Sequence, residues 1–161
     1  MTTLRMRGAL RSPLFALALI VVFAGTALAM TASGFHTTIL SRGTLSEPVH
    51  YNTGSVKFQT KESVDIVTAT VHLDAPSSSG WHAHPGVVLV TVLSGSLVVY
   101  DDHCTPTVYA AGSAFTESGD DAGLVRNEST TTPAVNYVTF IVPAGTPILR
   151  IDKANPGCPQ F

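Results

Sequence analysis

The sequence is poor in charge, in cysteine and in helical periodicity, and each shortage excludes something. Charged residues make up only 12% of the 161 positions. No window shows a sustained 3.6-residue apolar repeat, which argues against helical bundles and coiled coils. There are two cysteines, Cys104 and Cys158, and no C-x-x-C spacing, so neither a zinc ribbon nor a dithiol redox motif is present. There is no Arg-Arg pair, which disfavours twin-arginine export, and no cysteine just after the first apolar run, which argues against lipid modification. Neither a phosphate-cradling glycine loop nor a nucleophile elbow occurs; Ser94-Gly95-Ser96 joins strand to strand. Internal repeats and low-complexity linkers are also missing, so the chain is long enough for one domain.

The N-terminus reads as a targeting segment. Arg5, Arg7 and Arg11 precede an apolar run over 14–29, which ends in Ala27-Leu28-Ala29. A basic start, a short apolar middle and an A-x-A end predict a secretory signal peptide over 1–29. The alternative is an uncleaved anchor formed by 14–29, but sixteen residues are short for a bilayer, which needs about 20. The expected location is therefore secreted or cell-envelope, with no membrane attachment after cleavage. Beyond residue 29, six basic residues stand against eleven acidic ones, a net of −5 with His neutral. An acidic surface of this kind is a poor partner for nucleic acid or for an anionic membrane. In an oxidising compartment, Cys104 and Cys158 are expected to form a disulfide that staples the C-terminal tail to the domain.

Residues 30–36 read as a flexible lead, and 37–161 as an all-β domain. Short runs rich in Val, Thr, Ile, Tyr and Phe recur at 37–40, 55–60, 65–74, 87–93, 96–101, 105–111, 114–118, 123–129, 134–142 and 147–151. Turn clusters separate them, as in a sandwich or barrel. In 65–74, Val67, Ala69, Val71 and Leu73 share one face. The run 87–93 is apolar on both faces and is expected to be buried on both.

The most informative stretch is Gly80-Trp81-His82-Ala83-His84-Pro85-Gly86. Residues i and i+2 of an extended segment point to one side, so His82 and His84 can converge on a metal. With Gly95, and then Gly112 and Asn127, this pattern resembles the two motifs of the cupin superfamily. The resemblance spans roughly 65–145 and implies a double-stranded β-helix (jelly-roll) barrel that binds a divalent transition metal and small molecules. It also implies oxidative or isomerising chemistry in members with full ligand sets, and frequent homodimers. Two ligand slots of the pattern are vacant: the Glu slot is Val88 and the second-motif His slot is Gly123. Asp120 or Asp121, in the turn before Gly123, is the expected substitute carboxylate, giving a set of His82, His84 and Asp121. His72, His103 and His50 read as surface or loop histidines. If the phase of the histidines continues, Val88, Val90 and Val92 line an apolar lumen. Asn127-Glu128-Ser129 also matches a glycosylation sequon. Two readings stay open: a metal-dependent binding protein or enzyme, and a metal-free binding or structural barrel with a relic histidine pair.

Overall fold

A computed structural model describes residues 31–159, so the segment read as a signal peptide lies outside the described residues. Twelve strands and no helix occur among them: β1 Ser33–Leu45, β2 His50–Asn52, β3 Lys57–Gln59, β4 Val64–Ser78, β5 His82–Ala83, β6 Val87–Ser94, β7 Ser96–Tyr100, β8 Pro106–Ala110, β9 Ala114–Ser118, β10 Leu124–Asn127, β11 Ala134–Pro143 and β12 Ile151–Asp152. The main sheet runs β8-β7-β10-β4-β11-β6-β9, with β1 also on β4, and every pairing is antiparallel.

β4 joins the two layers of the barrel. Val64 to Leu73 pair with β11, while Ser77 and Ser78 pair with β10. The alternation expected from sequence holds along it: Val67, Ala69, Val71 and Leu73 are buried, and Thr68, Thr70 and His72 face outward. They meet Val88, Val90 and Val92 of β6 and Phe115, Val125, Val138 and Phe140 in one core. The β6–β7 turn depends on Gly95. Its φ is +77°, and a Cβ there would sit 2.7 Å from the Pro133 carbonyl oxygen.

Three expectations need correction. β1 already begins at Ser33, and Phe35 packs on the core, so residues 33–36 belong to the barrel and not to a flexible lead. β6 is buried on one face only: Val87, Leu89 and Leu93 are exposed, because the opposite layer covers the inner face alone. The run 147–151 is largely irregular, with only Ile151 in a strand.

Asn127 has a structural part that its sequon hides. It is 1% exposed, and its amide nitrogen contacts the Asp74 and Thr132 carbonyls at 2.9 and 2.8 Å. Its carbonyl accepts from Ser129 N–H. The side chain is fully used in tying the turn after β10 to β4, which leaves no nitrogen presented for glycosylation.

The disulfide forms as expected between Cys104 and Cys158. Cys158 packs with Trp81, Tyr100 and Leu124 in a second small core. The tail is thereby held against the residue next to His82.

Candidate metal centre and ligand cavity

The segment carrying the two histidines is clamped from both sides. His82 exchanges two backbone hydrogen bonds with Gly123, at 2.9 and 2.8 Å. β12 pairs with β5, and Lys153 N–H donates to the Trp81 carbonyl. Trp81 itself is fully buried. With the backbone fixed, the i, i+2 relationship turns both imidazoles inward, as the sequence predicts; their centroids are 4.9 Å apart and their planes near perpendicular.

Hydrogen bonding sets the tautomers. His82 Nδ1 lies 3.0 Å from the Gly80 carbonyl oxygen and His84 Nδ1 makes a 2.6 Å contact with the Leu149 carbonyl oxygen. A carbonyl only accepts, so each Nδ1 carries a proton and, in the neutral ring, the lone pair lies on Nε2. Both Nε2 atoms face Glu117: His84 Nε2 is 3.4 Å from Oε2, and His82 Nε2 is 3.8 Å from Oε1. One ligand atom from each of the three residues lies within 4.8 Å of the other two.

Electrostatics favour the ligand forms. Burial pushes the His82 imidazole down to about 4; Arg150 and His84 act the same way, against Glu117 and the Gly80 carbonyl. Burial alone would raise the Glu117 carboxyl, but the two imidazoles and Arg150 outweigh it and hold it below the usual range. Near neutral pH the group thus offers a neutral His82 and a Glu117 carboxylate. His84 Nε2 is buried, with the Glu117 carboxylate as its polar neighbour. Two imidazoles and one carboxylate suit a divalent transition metal, so His82, His84 and Glu117 fit such an ion.

Glu117, not Asp121, is the third member. Asp121 is exposed, lies outside this ligand group, and lines a second cavity of about 280 Å³ that His82, His84 and Glu117 also border. Asp120 is 96% exposed and faces Lys153 Nζ at 3.7 Å. The turn carrying both bends out to solvent, so their carboxylates do not join the histidines. Glu117 was legible in principle. On β9, Phe115 and Glu117 share the inward face, and a carboxylate at an inward position of an apolar strand is a warning of a partner. His72 and His103 are half exposed and largely exposed, and His50 is exposed within β2. Among the described residues a second group of metal-ligand type, Asp101, Asp102 and His103, is wholly exposed.

The ligand group forms one end of a cavity of about 400 Å³ inside the barrel. Val88 and Val90 line it, as the phase of the histidines predicts, with Val71, Phe115, Val138 and Phe140, whereas Val92, expected beside them, is buried in the core outside this lining. Three polar side chains outside the ligand group, Thr37, Asn136 and Arg150, also reach it.

No protein-family model matches the chain, and no curated protein matches it. Similar solved structures exist. An RmlC-like cupin from Shewanella frigidimarina is 15% identical over 70% of this chain and 79% of that one, with a TM-score of 0.47. A protein with a double-stranded β-helix domain from Klebsiella pneumoniae is 18% identical over 68% and 88%, with a TM-score of 0.47. An oxalate oxidase is 20% identical over 49% of this chain and 46% of its own, with a TM-score of 0.41. With its antiparallel main sheet and the inward pair His82 and His84 beside Glu117, this chain is an all-β barrel carrying a candidate His/His/Glu metal group.

Proposed function

We propose that the protein binds a divalent transition metal through His82, His84 and Glu117 and holds a small molecule in the apolar lumen beside it. The observation that carries this reading is the convergence of one ligand atom each from His82, His84 and Glu117, all within 4.8 Å of one another, with both Nδ1 atoms already engaged by backbone carbonyls. A relic histidine pair has no reason to keep a buried carboxylate facing it, because an isolated buried charge is costly. When bound, the ion would supply Lewis acidity and open coordination positions, which suits oxidative or isomerising chemistry on a bound small molecule. The chain's own part is to fix the tautomers through Gly80 and Leu149, to keep His82 neutral by burial, and to exclude water with the Val and Phe lining. The basic start, apolar run and A-x-A end support work outside the cytoplasm, where the Cys104–Cys158 bridge is stable.

Metal content measured by mass spectrometry on untagged protein tests this. One ion per chain in the native form, lost in both His82→Ala/His84→Ala and Glu117→Gln, is the expected result. No uptake after reconstitution with iron, manganese, nickel, zinc and copper in turn would favour the metal-free barrel.

A further inference from the structure

The lumen has a polar feature at each end that the metal group does not use. At the histidine end stands Arg150. Its Nε donates to Asp152 at 2.8 Å on the solvent side, but its Nη2 is buried and has no hydrogen-bond partner. The guanidinium lines the same cavity as His82, His84 and Glu117. At the other end stands Asn136, 3% exposed, with its side-chain oxygen buried and unpartnered. Asn136 and Phe140 share the inward face of β11 and are four residues apart, which is about 13 Å along a strand. The His84 ring packs on Phe140 at 5.6 Å, so Asn136 marks the end of the lumen remote from the ligand group.

Charge balance indicates what belongs between them. A divalent ion held by two neutral imidazoles and one carboxylate keeps a net charge of +1. Arg150 adds a second positive charge, and Asp152, the carboxylate its Nε meets, is 72% exposed to water. A low-dielectric cavity with surplus positive charge and an unused N–H favours an anion with oxygen acceptors, and a guanidinium matches a carboxylate best. The walls between the poles are Val and Phe, which suit an apolar body.

We infer that the lumen takes an amphipathic carboxylate, with its anionic head against Arg150 at the histidine end, its apolar body along the Val and Phe wall, and a hydrogen-bonding group at its far end against Asn136. This deepens the reading of the lumen as a ligand cavity and rests on it. It assigns Arg150 and Asn136 as residues that determine specificity.

The test is calorimetric titration with hexanoate, octanoate and phenylacetate, each beside its neutral amide, and with 8-hydroxyoctanoate, into metal-free and zinc-loaded protein. At least one carboxylate is expected to bind about tenfold or more tighter than its amide. Arg150→Gln should remove that preference, and Arg150→Lys should keep most of it. The terminal hydroxyl of 8-hydroxyoctanoate should tighten binding several-fold over octanoate, and Asn136→Leu should erase the gain. Equal binding of carboxylates and amides, a preference that survives Arg150→Gln, or no binding by any carboxylate overturns the inference. Metal uptake is measured on the same samples. An Arg150-dependent preference without metal uptake leaves the inference standing and removes the metal, whereas uptake without any preference does the reverse.

Discussion

Glu117 stands directly opposite Val88 in the antiparallel pairing of β9 with β6. Residues opposite one another in such a pair project from the same face, with Cβ atoms about 5 Å apart. Glu117 thus shares a face with position 88, the slot where the motif that the sequence resembles carries its Glu, and it meets His82 and His84 from one strand over. The vacant second-motif slot fits the same picture. Gly123 bridges His82 through the backbone, and a Cβ added there would lie 3.6 Å from Glu117 Oε1, in ordinary contact.

Moving the carboxylate back tests this equivalence. Glu117→Val should lower metal affinity by roughly a hundredfold or more, since loss of even an outer partner costs 10–100-fold. The double variant Val88→Glu/Glu117→Val should recover most of that loss, read as the zinc dissociation constant by competition with a chelator. If the double variant binds no better than Glu117→Val alone, the two positions do not share a site.

Filling the other slot should help. Gly123→His brings a third imidazole, and a fourth ligand, to the edge of the group without displacing Glu117. Zinc affinity is expected to rise by about tenfold, with the backbone bridge to His82 intact by amide exchange. A fall in affinity would mean that a side chain at 123 pushes Glu117 away.

Acid should destabilise the fold through His82. Its imidazole titrates near 6.5 in the unfolded chain and at about 4 in the fold. Above 6.5 neither state is protonated there, so this stability is fully present. As pH falls from 6.5 toward 4, the unfolded chain takes up a proton that the folded one refuses. The cost grows to about 3 kcal/mol by pH 4. Glu117, held below its usual range, adds to the loss at still lower pH, with the same sign. Urea unfolding at pH 7 and 4.5, compared with His82→Asn, should show a steeper loss in the native protein. Parallel pH profiles would count against a buried neutral His82.

Breaking the disulfide should cost stability and disturb the metal group. Cys104→Ser/Cys158→Ser frees a bridge spanning 54 residues, worth about 4 kcal/mol in the chain-entropy model. The tail it holds pairs with β5 and supplies the Leu149 carbonyl that orients His84. Weaker metal binding should accompany the lower melting temperature. Unchanged affinity in the folded variant would show that β12 holds by its own hydrogen bonds.

Asn127→Ala should destabilise by about 2–3 kcal/mol, because it strips hydrogen bonds from the buried Asp74 and Thr132 carbonyls. Chemical denaturation measures this, and the native protein expressed in a glycosylating host should carry no glycan at Asn127.

Local pattern determined much of this molecule. Alternation along 65–74 gave the inner face of β4, the i, i+2 spacing gave the inward histidine pair, and the phase carried on to Val88 and Val90. Two cysteines in a chain with an export-type start indicated the bridge. These features are legible because side-chain direction in a strand has period two and needs no knowledge of neighbours. Which strands become neighbours is a long-range matter, and there the sequence was silent. Only the register of β9 on β6 sets Glu117 opposite Val88, and only the outward turn after β9 takes Asp121 away from the histidines. The exposed outer face of β6 was hidden for the same reason, since an apolar run does not say how many layers will cover it. Arg150, from a segment with little regular structure, reaches the lumen because the tail folds back across its mouth, a path set by tertiary packing.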